Sequence, residues 1–215
     1  MSILKNLQLT YNQIASDHSS YHPRLWPGLK PFIQKIKPGQ KVLDLGCGHG
    51  RILNYLPKQL NYTGIDFSKK WLSQARQSFP QHTFTQADLT QPQAWQSLGQ
   101  FDAILTIAFI HHLPKKSQQL FVLKQARKHL KKDGFLVLST WRLLRSKFIL
   151  QHLNSLPLKI KHLNWRFLKI PYKDTSHSRF YTALDKKYLE NLLTQAGFTV
   201  KTFKKTTDNL IFLCQ

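Results

Sequence analysis

The segment Lys41–Arg51, KVLDLGCGHGR, constrains the fold most, because three alternate glycines follow a short apolar run. The apolar run predicts a buried parallel strand. Gly46, Gly48 and Gly50 predict a tight turn whose backbone approaches a bound molecule. A second predicted strand, Tyr62–Asp66, ends in an acid roughly 20 residues after the loop, where a nucleoside-binding βαβ unit binds ribose hydroxyls. The segment therefore predicts a nucleoside site, and the alternative is a strand, turn and helix without a ligand.

Asp44, just before the glycines, indicates the charge of the ligand. A dinucleotide places its pyrophosphate at the helix N-terminus, and a neighbouring carboxylate would repel it. S-adenosylmethionine carries a sulfonium and an ammonium group, which Asp44 would attract. We therefore expect S-adenosylmethionine as the cofactor and S-adenosylhomocysteine as its product.

The motifs LDLGCGHG, GIDFS and QADL resemble the successive cofactor motifs of class I S-adenosylmethionine-dependent methyltransferases. The resemblance implies an α/β fold with a Rossmann-like seven-stranded methyltransferase sheet, mostly parallel with a C-terminal antiparallel hairpin, flanked by helices. The cofactor-binding residues that it implies are Tyr11, Asp44, Gly46, Cys47, Gly48, Gly50, Asp66, Phe67, Asp88, Leu89 and Ala108.

The order of predicted elements agrees with a parallel sheet built from β-α-β units. Helices are predicted at Tyr11–Ala15, Arg51–Leu56, Lys69–Phe79, Ser117–Leu130 and Asp185–Ala196. Further strands are predicted at Thr83–Asp88, Phe101–Phe109, Phe135–Trp141, Phe198–Lys204 and Asn209–Cys214. We expect one domain, residues 1–215, with an N-terminal cap at 1–38 and an insertion at about 142–183.

The charge of the chain indicates an anionic partner. The chain has 32 Lys and Arg against 10 Asp and Glu, a net charge of +22. Such a surface attracts nucleic acid first and an anionic membrane second, although a generally basic proteome would produce the same composition. The longest apolar-rich run, Ala103–Ile110, is far shorter than the ~20 residues that span a bilayer, so we expect no membrane span and a cytoplasmic protein.

The expected insertion strengthens the expectation of nucleic acid. From Arg142 to Arg179 there are nine Lys or Arg and one acid, interleaved with aromatic residues. Basic residues bind phosphates and aromatic rings stack on bases. We expect RNA contacts from Arg142, Arg145, Lys159 and Lys161. The alternative is an amphipathic helix, Leu143–Leu153, with solvated charges.

A closer resemblance comes from YNQIA, RLWP, IAFIHHL, STW, SRFYT and AGF, which together are similar to the tRNA wobble-uridine carboxyl methyltransferases. That family methylates the carboxylate of a 5-carboxymethyl side chain on the anticodon uridine, commonly with a small zinc-binding activator protein. Thr182 stands where its members tend to have histidine. The substrate-facing residues that the resemblance implies are His112, Trp141, Arg179, Tyr181 and Arg24.

Motifs that the sequence lacks exclude some classes of methyl acceptor. The segment after the fourth strand reads AFIHHL and lacks the Pro-Pro-aromatic motif of amine methyltransferases, and neither cysteine is placed as a nucleophile for cytosine. A carboxylate acceptor is already anionic and needs no general base. His111 and His112 are not spaced as zinc ligands, and we expect His112 to face the substrate. The alternatives are a small-molecule O-methyltransferase and a non-catalytic nucleic-acid-binding protein.

Overall fold

The computed structural model describes residues 3–16, 25–26, 28–172 and 178–215, so the expected site residue Arg24 lies outside it. The strands are β1 (Lys41–Leu45), β2 (Asn61–Asp66), β3 (Thr83–Gln86), β4 (Phe101–Ile107), β5 (Leu130–Trp141), β6 (Phe167–Pro171), β7 (Ser178–Thr182), β8 (Val200–Lys205) and β9 (Asn209–Cys214). The α-helices are α1 (Ile3–Ser16), α2 (Lys30–Ile33), α3 (Lys69–Ser78), α4 (Lys116–Lys128), α5 (Ile149–Asn154), α6 (Leu156–His162) and α7 (Lys186–Gln195). Short 3₁₀ helices span Arg51–Tyr55, Pro92–Trp95, Ile110–His112 and Ser146–Phe148.

The main sheet has seven strands in the order β3-β2-β1-β4-β5-β9-β8. Strands β1 to β5 are parallel, and β9 runs antiparallel to both β5 and β8. The carboxyl ends of the parallel strands therefore meet at one edge of the sheet. The strand order reverses between β1 and β4, and ligands of open α/β sheets bind at such a point. The predicted fold class is confirmed.

Helices cover both faces of the sheet. Leu43 and Leu45 belong to the core that includes α4 and α7, and Val42 belongs to the core that includes α2 and α3. All three side chains are fully buried. Because both faces are covered, the central strands read as continuous apolar runs rather than alternating ones. Among the described residues, no helix is long and apolar enough to cross a bilayer.

Three predicted elements are corrected. The helix predicted at Arg51–Leu56 is a short 3₁₀ helix that begins after Gly50, whose φ of 74° is left-handed. The fifth strand, predicted at Phe135–Trp141, begins at Leu130, and its pairing with β4 contains a register shift between Phe101 and Ala103. The N-terminal helix begins at Ile3, well before Tyr11.

The insertion contains structure that was not predicted. Of the alternative helix Leu143–Leu153, only part forms, because Leu143 is fully buried outside any helix and α5 begins at Ile149. A separate two-stranded antiparallel sheet joins β6 to β7. Alternate residues of a strand share one face, so β7 presents Arg179 and Tyr181 on the same side.

We expect Gly46→Ala to lower the free energy of unfolding by about 2 to 5 kcal/mol, because it combines left-handed strain with overpacking. Gly46 has a φ of +74°, and a Cβ there would lie 2.5 Å from the Phe109 ring. Gly39 is the matched control, since its φ is +81° and a Cβ would meet nothing within 4 Å. Urea unfolding of both variants separates the cost of backbone strain, which both share, from the cost of the clash with Phe109, which only Gly46→Ala has. Equal losses for Gly39→Ala and Gly46→Ala would contradict the steric contribution.

Candidate active site

A cavity of about 410 Å³ opens at the carboxyl ends of the parallel strands. Its floor is formed by the glycine loop after β1 and by the ends of β2, β4 and β5. Helix α1 and strand β7 form the opposite side. Residues that line it include Leu7, Tyr11, Asp44, Gly48, Asp66, Ala87, Ala108, His111, Trp141, Tyr172, Arg179 and Tyr181.

The glycine loop is fixed by the end of β2. The backbone N–H groups of Gly46 and Cys47 both donate to the Ile65 carbonyl, at 2.8 and 3.1 Å. The Gly48 N–H donates to Asp66 Oδ2 at 2.9 Å. Gly48 has a φ of +57°, and a Cβ there would meet no protein atom within 4 Å, because that side of the backbone faces the cavity. The loop therefore leaves room for a ligand against its backbone.

Two buried carboxylates lie beside this loop. Burial raises the pKa of Asp44 to about 7, and Tyr62 donates to its Oδ2 at 2.7 Å. Burial raises the pKa of Asp66 to about 6, against the opposing effect of N–H groups that include Ser68 and Gly48. A cation or a hydroxyl donor would stabilise the ionised form of either group. The pair fits the ammonium and ribose groups of S-adenosylmethionine.

Helix α1 closes the cavity. Gln8 Nε2 donates to the Phe67 carbonyl at 2.6 Å, and Ser68 Oγ donates to Asn12 Oδ1 at 2.8 Å. Ser68 also caps α3 by accepting from the Trp71 N–H. The two residues after β2 thus hold the helix that covers the site.

The far end of the cavity carries three of the expected cofactor-binding residues, Asp88, Leu89 and Ala108. Asp88 Oδ1 accepts from the N–H and the hydroxyl of Thr90, at 2.9 and 2.7 Å. Leu89 is buried beneath it. Ala108, after β4, has a φ of 54°, a conformation that a residue with a side chain rarely adopts. Its N–H donates to the Ser139 carbonyl at 2.9 Å, which holds this turn against β5.

The near end of the cavity is a cage of aromatic rings around Arg179. Its guanidinium carbon lies 4.8 Å from the Tyr172 ring centroid and 5.5 Å from those of Trp141 and Tyr181. Trp141 and Tyr181 stack with centroids 5.3 Å apart. Within the described part of the chain, Arg179 Nε is buried and has no hydrogen-bond partner. The rings orient the guanidinium and leave a donor unused.

Both ring nitrogens of His112 are occupied. Nδ1 lies 3.1 Å from the Phe180 carbonyl, which only accepts, so the proton is on Nδ1. Nε2 then accepts from the Tyr11 hydroxyl at 2.9 Å. Burial lowers the pKa of His112 to about 3, so the ring is neutral. His112 therefore positions Tyr11 and has no ring nitrogen left for a substrate.

His111 has the opposite arrangement. Its Nδ1 accepts from the Trp141 N–H at 3.3 Å. Burial lowers its pKa well below the usual value, so the single ring proton is on Nε2. That Nε2 is buried and has no partner among the described residues. Both His111 and Arg179 pack on the Trp141 and Tyr181 rings, so two unused donors border one part of the cavity.

The structure brings most of the expected site residues together. Apart from Arg24, which lies outside the described residues, and Gly50, which is buried behind the loop, all of them line the cavity. Sequence reasoning missed Leu7, Ile14 and Trp71, and it ranked His112 above His111. A helical spacing of Leu4, Leu7, Tyr11 and Ile14 was available as a signal for the cavity face of α1. Among the described residues, no cluster of His, Cys, Asp or Glu could hold a metal ion.

The expected RNA contacts of the insertion are only partly available. Arg142 donates to the carbonyls of Thr206 and Thr207, and Arg145 pairs with Asp208 at 2.7 Å. Lys159 is buried and bonded to His152, so it cannot contact RNA without rearrangement. Lys161 is exposed. Of the aromatic residues, Phe167 and Tyr172 are buried, whereas Trp165 is exposed.

We expect Asp44→Asn to stabilise the ligand-free protein at pH 8 by roughly 1 to 4 kcal/mol. The raised pKa means that the fold binds the Asp44 proton more tightly than the unfolded chain does, so stability falls as pH rises from about 4 to about 7. Asparagine removes that loss and still accepts from Tyr62. The measurement is urea unfolding at pH 8 and at pH 5. The difference in the free energy of unfolding between the variant and the wild type should be smaller at pH 5.

Asp102→Asn is the control, because Asp102 pairs with Lys131 at 2.7 Å and accepts from the Lys41 N–H. This variant should lose stability at pH 8. Destabilisation by Asp44→Asn at pH 8 would show that the Asp44 charge is stabilised in the empty site.

Comparison with solved structures supports the fold. The protein is similar to an S-adenosylmethionine-dependent methyltransferase from Methanosarcina mazei, with a TM-score of 0.74 and 18% identity over 90% of this chain and 98% of that one. It is also similar to the CcbJ methyltransferase from Streptomyces caelestis, with a TM-score of 0.72 and 13% identity over 96% and 97% of the two chains.

Relatives in sequence are named as tRNA enzymes. The chain is 30% identical over 131 residues to the probable tRNA methyltransferase 9B of Bos taurus, which is 61% of this chain and 28% of that protein. It is 28% identical over 134 residues to the tRNA (carboxymethyluridine(34)-5-O)-methyltransferase of Saccharomyces cerevisiae, which is 62% and 47% of the two chains. The chain therefore spans less than half the length of these relatives. The predicted resemblance is confirmed as a similarity.

The family described as "Methyltransferase domain" matches residues 18–202 of the sequence. That range includes the glycine loop, both buried carboxylates and the ring cage. The chain belongs to the methyltransferase domain family and has the fold of S-adenosylmethionine-dependent methyltransferases.

Proposed function

We propose that the protein methylates a carboxylate on a modified wobble uridine of tRNA, with S-adenosylmethionine as the methyl donor. The observation that carries the proposal is the pair of unused donors, Arg179 Nε–H and His111 Nε2–H, buried at the same rings. A buried donor without a partner costs about 1 to 3 kcal/mol. An anionic acceptor oxygen would satisfy both donors at once.

The cofactor half of the site agrees with this reaction. When bound, S-adenosylmethionine supplies a methyl group on a positively charged sulfur. Asp44 would attract the ammonium group, Asp66 would accept from the ribose hydroxyls, and Asp88 would accept from the adenine amino group. Tyr11 lies between the glycine loop and the ring cage, so its hydroxyl would border the transferred methyl.

The protonation states of the site also favour an acceptor that is already anionic. His112 is neutral, its pKa is about 3, and both of its nitrogens are occupied. Burial raises the pKa of the Tyr11 hydroxyl, which already donates to His112. No described group at the ring cage is therefore ready to take a proton. A carboxylate has none to lose at neutral pH, so the reaction can depend on alignment.

The proposed tRNA substrate rests on similarity and charge. Relatives are named as tRNA methyltransferases, and the net charge of +22 suits a phosphate backbone. By the same similarity we expect a small zinc-binding activator protein and action in the cytoplasm. A small-molecule acceptor would use the same cofactor residues, and the assay below distinguishes the two.

The affinity for S-adenosylmethionine should fall roughly threefold to tenfold between pH 7.5 and pH 6, because Asp44 takes up a proton in that range. The pKa of about 7 sets the window. Isothermal titration at both pH values is the measurement. Asp44→Asn is the control and should bind weakly with a flatter pH response. A wild-type affinity that stays constant would exclude Asp44 as a partner of the cationic cofactor.

Arg179→Ala should slow methyl transfer to tRNA by about a hundredfold or more, the effect of removing one donor to a developing or bound anion. Arg179→Lys should recover part of the rate, because a point charge lacks the planar fork of donors. The assay is mass spectrometry of tRNA nucleosides, with cofactor affinity measured on the same samples.

Lys169→Ala is the matched control for charge, since Lys169 is exposed on β6 beside the same strand pair. It should retain nearly full activity. A product methylated on a ring nitrogen or on ribose would overturn the carboxylate acceptor. Transfer to a small acid but never to tRNA would overturn the proposed substrate.

A further inference from the structure

The helical part of the insertion is apolar on its outer side. We use the name apolar face for Ile149, Leu150, Leu153, Ile160, Leu163 and Trp165, all of which are more than half exposed. Leu150 is 69% exposed, Trp165 68% and Leu163 90%. Single exposed leucines are ordinary, but a group of this size within one segment indicates a binding surface.

The inner side of the same helices is polar. Helix α5 has no buried residue, and the buried residue within α6 is Lys159. The Lys159 ammonium donates to His152 Nδ1 at 3.1 Å, and His152 Nε2 donates to the Leu143 carbonyl at 3.1 Å. Ser155 Oγ accepts from the Lys169 N–H at 3.0 Å, which ties the helices to β6. In a helix at a protein surface, leucine side chains usually face the core and lysine side chains face water. This segment has the opposite arrangement.

The turn after α6 presents its apolar side chains from a fixed backbone. Leu163 has a φ of 47°, a conformation in which glycine or asparagine costs less than leucine. Asn164 anchors the turn, because its Nδ2 donates to the Pro114 carbonyl at 2.9 Å and its Oδ1 accepts from the Arg166 N–H at 3.0 Å. The fold thus holds the most exposed leucine of the segment in a strained position without burying it.

The charge of the residues around the apolar face distinguishes between its candidate partners. Residues 142–172 contain seven Lys or Arg and no acid. Only two acids, Asp185 and Asp208, form ion pairs with this segment among the described residues, so a positive excess remains. A second copy would bring the same positive segment and repel it. RNA would match the charge, but aliphatic side chains do not stack on bases as aromatic rings do. An anionic lipid surface matches both properties, since leucine and tryptophan enter the interface while lysine and arginine contact the headgroups.

We propose that the apolar face docks the protein on an anionic lipid bilayer. The docking is peripheral, with α5 and α6 lying in the interface and Leu163 and Trp165 entering the acyl boundary. Exposed Lys161 lies on the same segment, where it can reach the headgroups. Lys147 is also exposed, and it pairs with Asp208. This surface is separate from the cavity, so the proposal does not depend on the nature of the methyl acceptor.

The first test is co-sedimentation of the protein with vesicles of phosphatidylcholine alone or mixed equally with phosphatidylglycerol. We expect binding to the mixed vesicles, weakened by salt. Leu150→Ser combined with Leu163→Ser should weaken it at least ~10-fold, because two leucines that would enter the lipid interface are lost. Leu9→Ser is the matched control, since Leu9 is 45% exposed on α1, and it should change little. Circular dichroism and cofactor affinity confirm that each variant is folded.

The second test uses Trp165 as a reporter. Its fluorescence should shift to the blue on mixed vesicles and be quenched by brominated acyl chains, and Trp165→Phe should remove most of that response while vesicle binding persists. Absence of vesicle binding, or binding that the double serine variant leaves unchanged, would overturn the proposal. The proposal would also be overturned if the double serine variant lost tRNA affinity or dimerisation but retained vesicle binding, because the apolar face would then bind RNA or a second copy.

Discussion

The carboxylate of Asp66 is the interaction on which the rest of the site depends. It accepts from the Gly48 N–H and from the Ser68 N–H, so one side chain orders both the glycine loop and the start of α3. Ser68 in turn donates to Asn12 on α1, which closes the cavity. Burial raises the Asp66 pKa to about 6, and donors on a ligand offset part of that cost. Binding and closure are therefore linked through one carboxylate.

The end of the cavity around Arg179, where we propose that the acceptor binds, has no buried acid among the described residues and differs from the cofactor end in its electrostatics. Its histidines are neutral, and the guanidinium of Arg179 lies among aromatic rings. Such surroundings strengthen a hydrogen bond to an anion and give no help to an acceptor that must first lose a proton. Under the proposed function the two ends have different roles, since the buried acids would attract the cationic cofactor and the buried donors would select an anionic acceptor.

The sequence predicted the sheet correctly. It also placed Asp44, Asp66 and Asp88 in one site, and all three line the cavity, because each lies at or just after the carboxyl end of a strand within a local motif. It indicated less about the surroundings of Arg179, because these depend on long-range contacts. Which histidine keeps a free nitrogen is decided by the Trp141 N–H and the Phe180 carbonyl, far away in the chain. The apolar residues of the insertion suggested the buried side of a helix, and only the position of Lys159 shows that this side faces outward.

The measurement that tests the central claim most directly is the base stability of the product. A methyl ester is hydrolysed by mild alkali and releases methanol, whereas methyl groups on ring nitrogen or ribose oxygen remain attached. Host tRNA is incubated with the protein and S-adenosylmethionine labelled in its methyl group, and then with mild base. We expect mild base to release most of the label incorporated into tRNA as volatile methanol. Label that stays with the tRNA after base treatment would contradict a carboxylate acceptor.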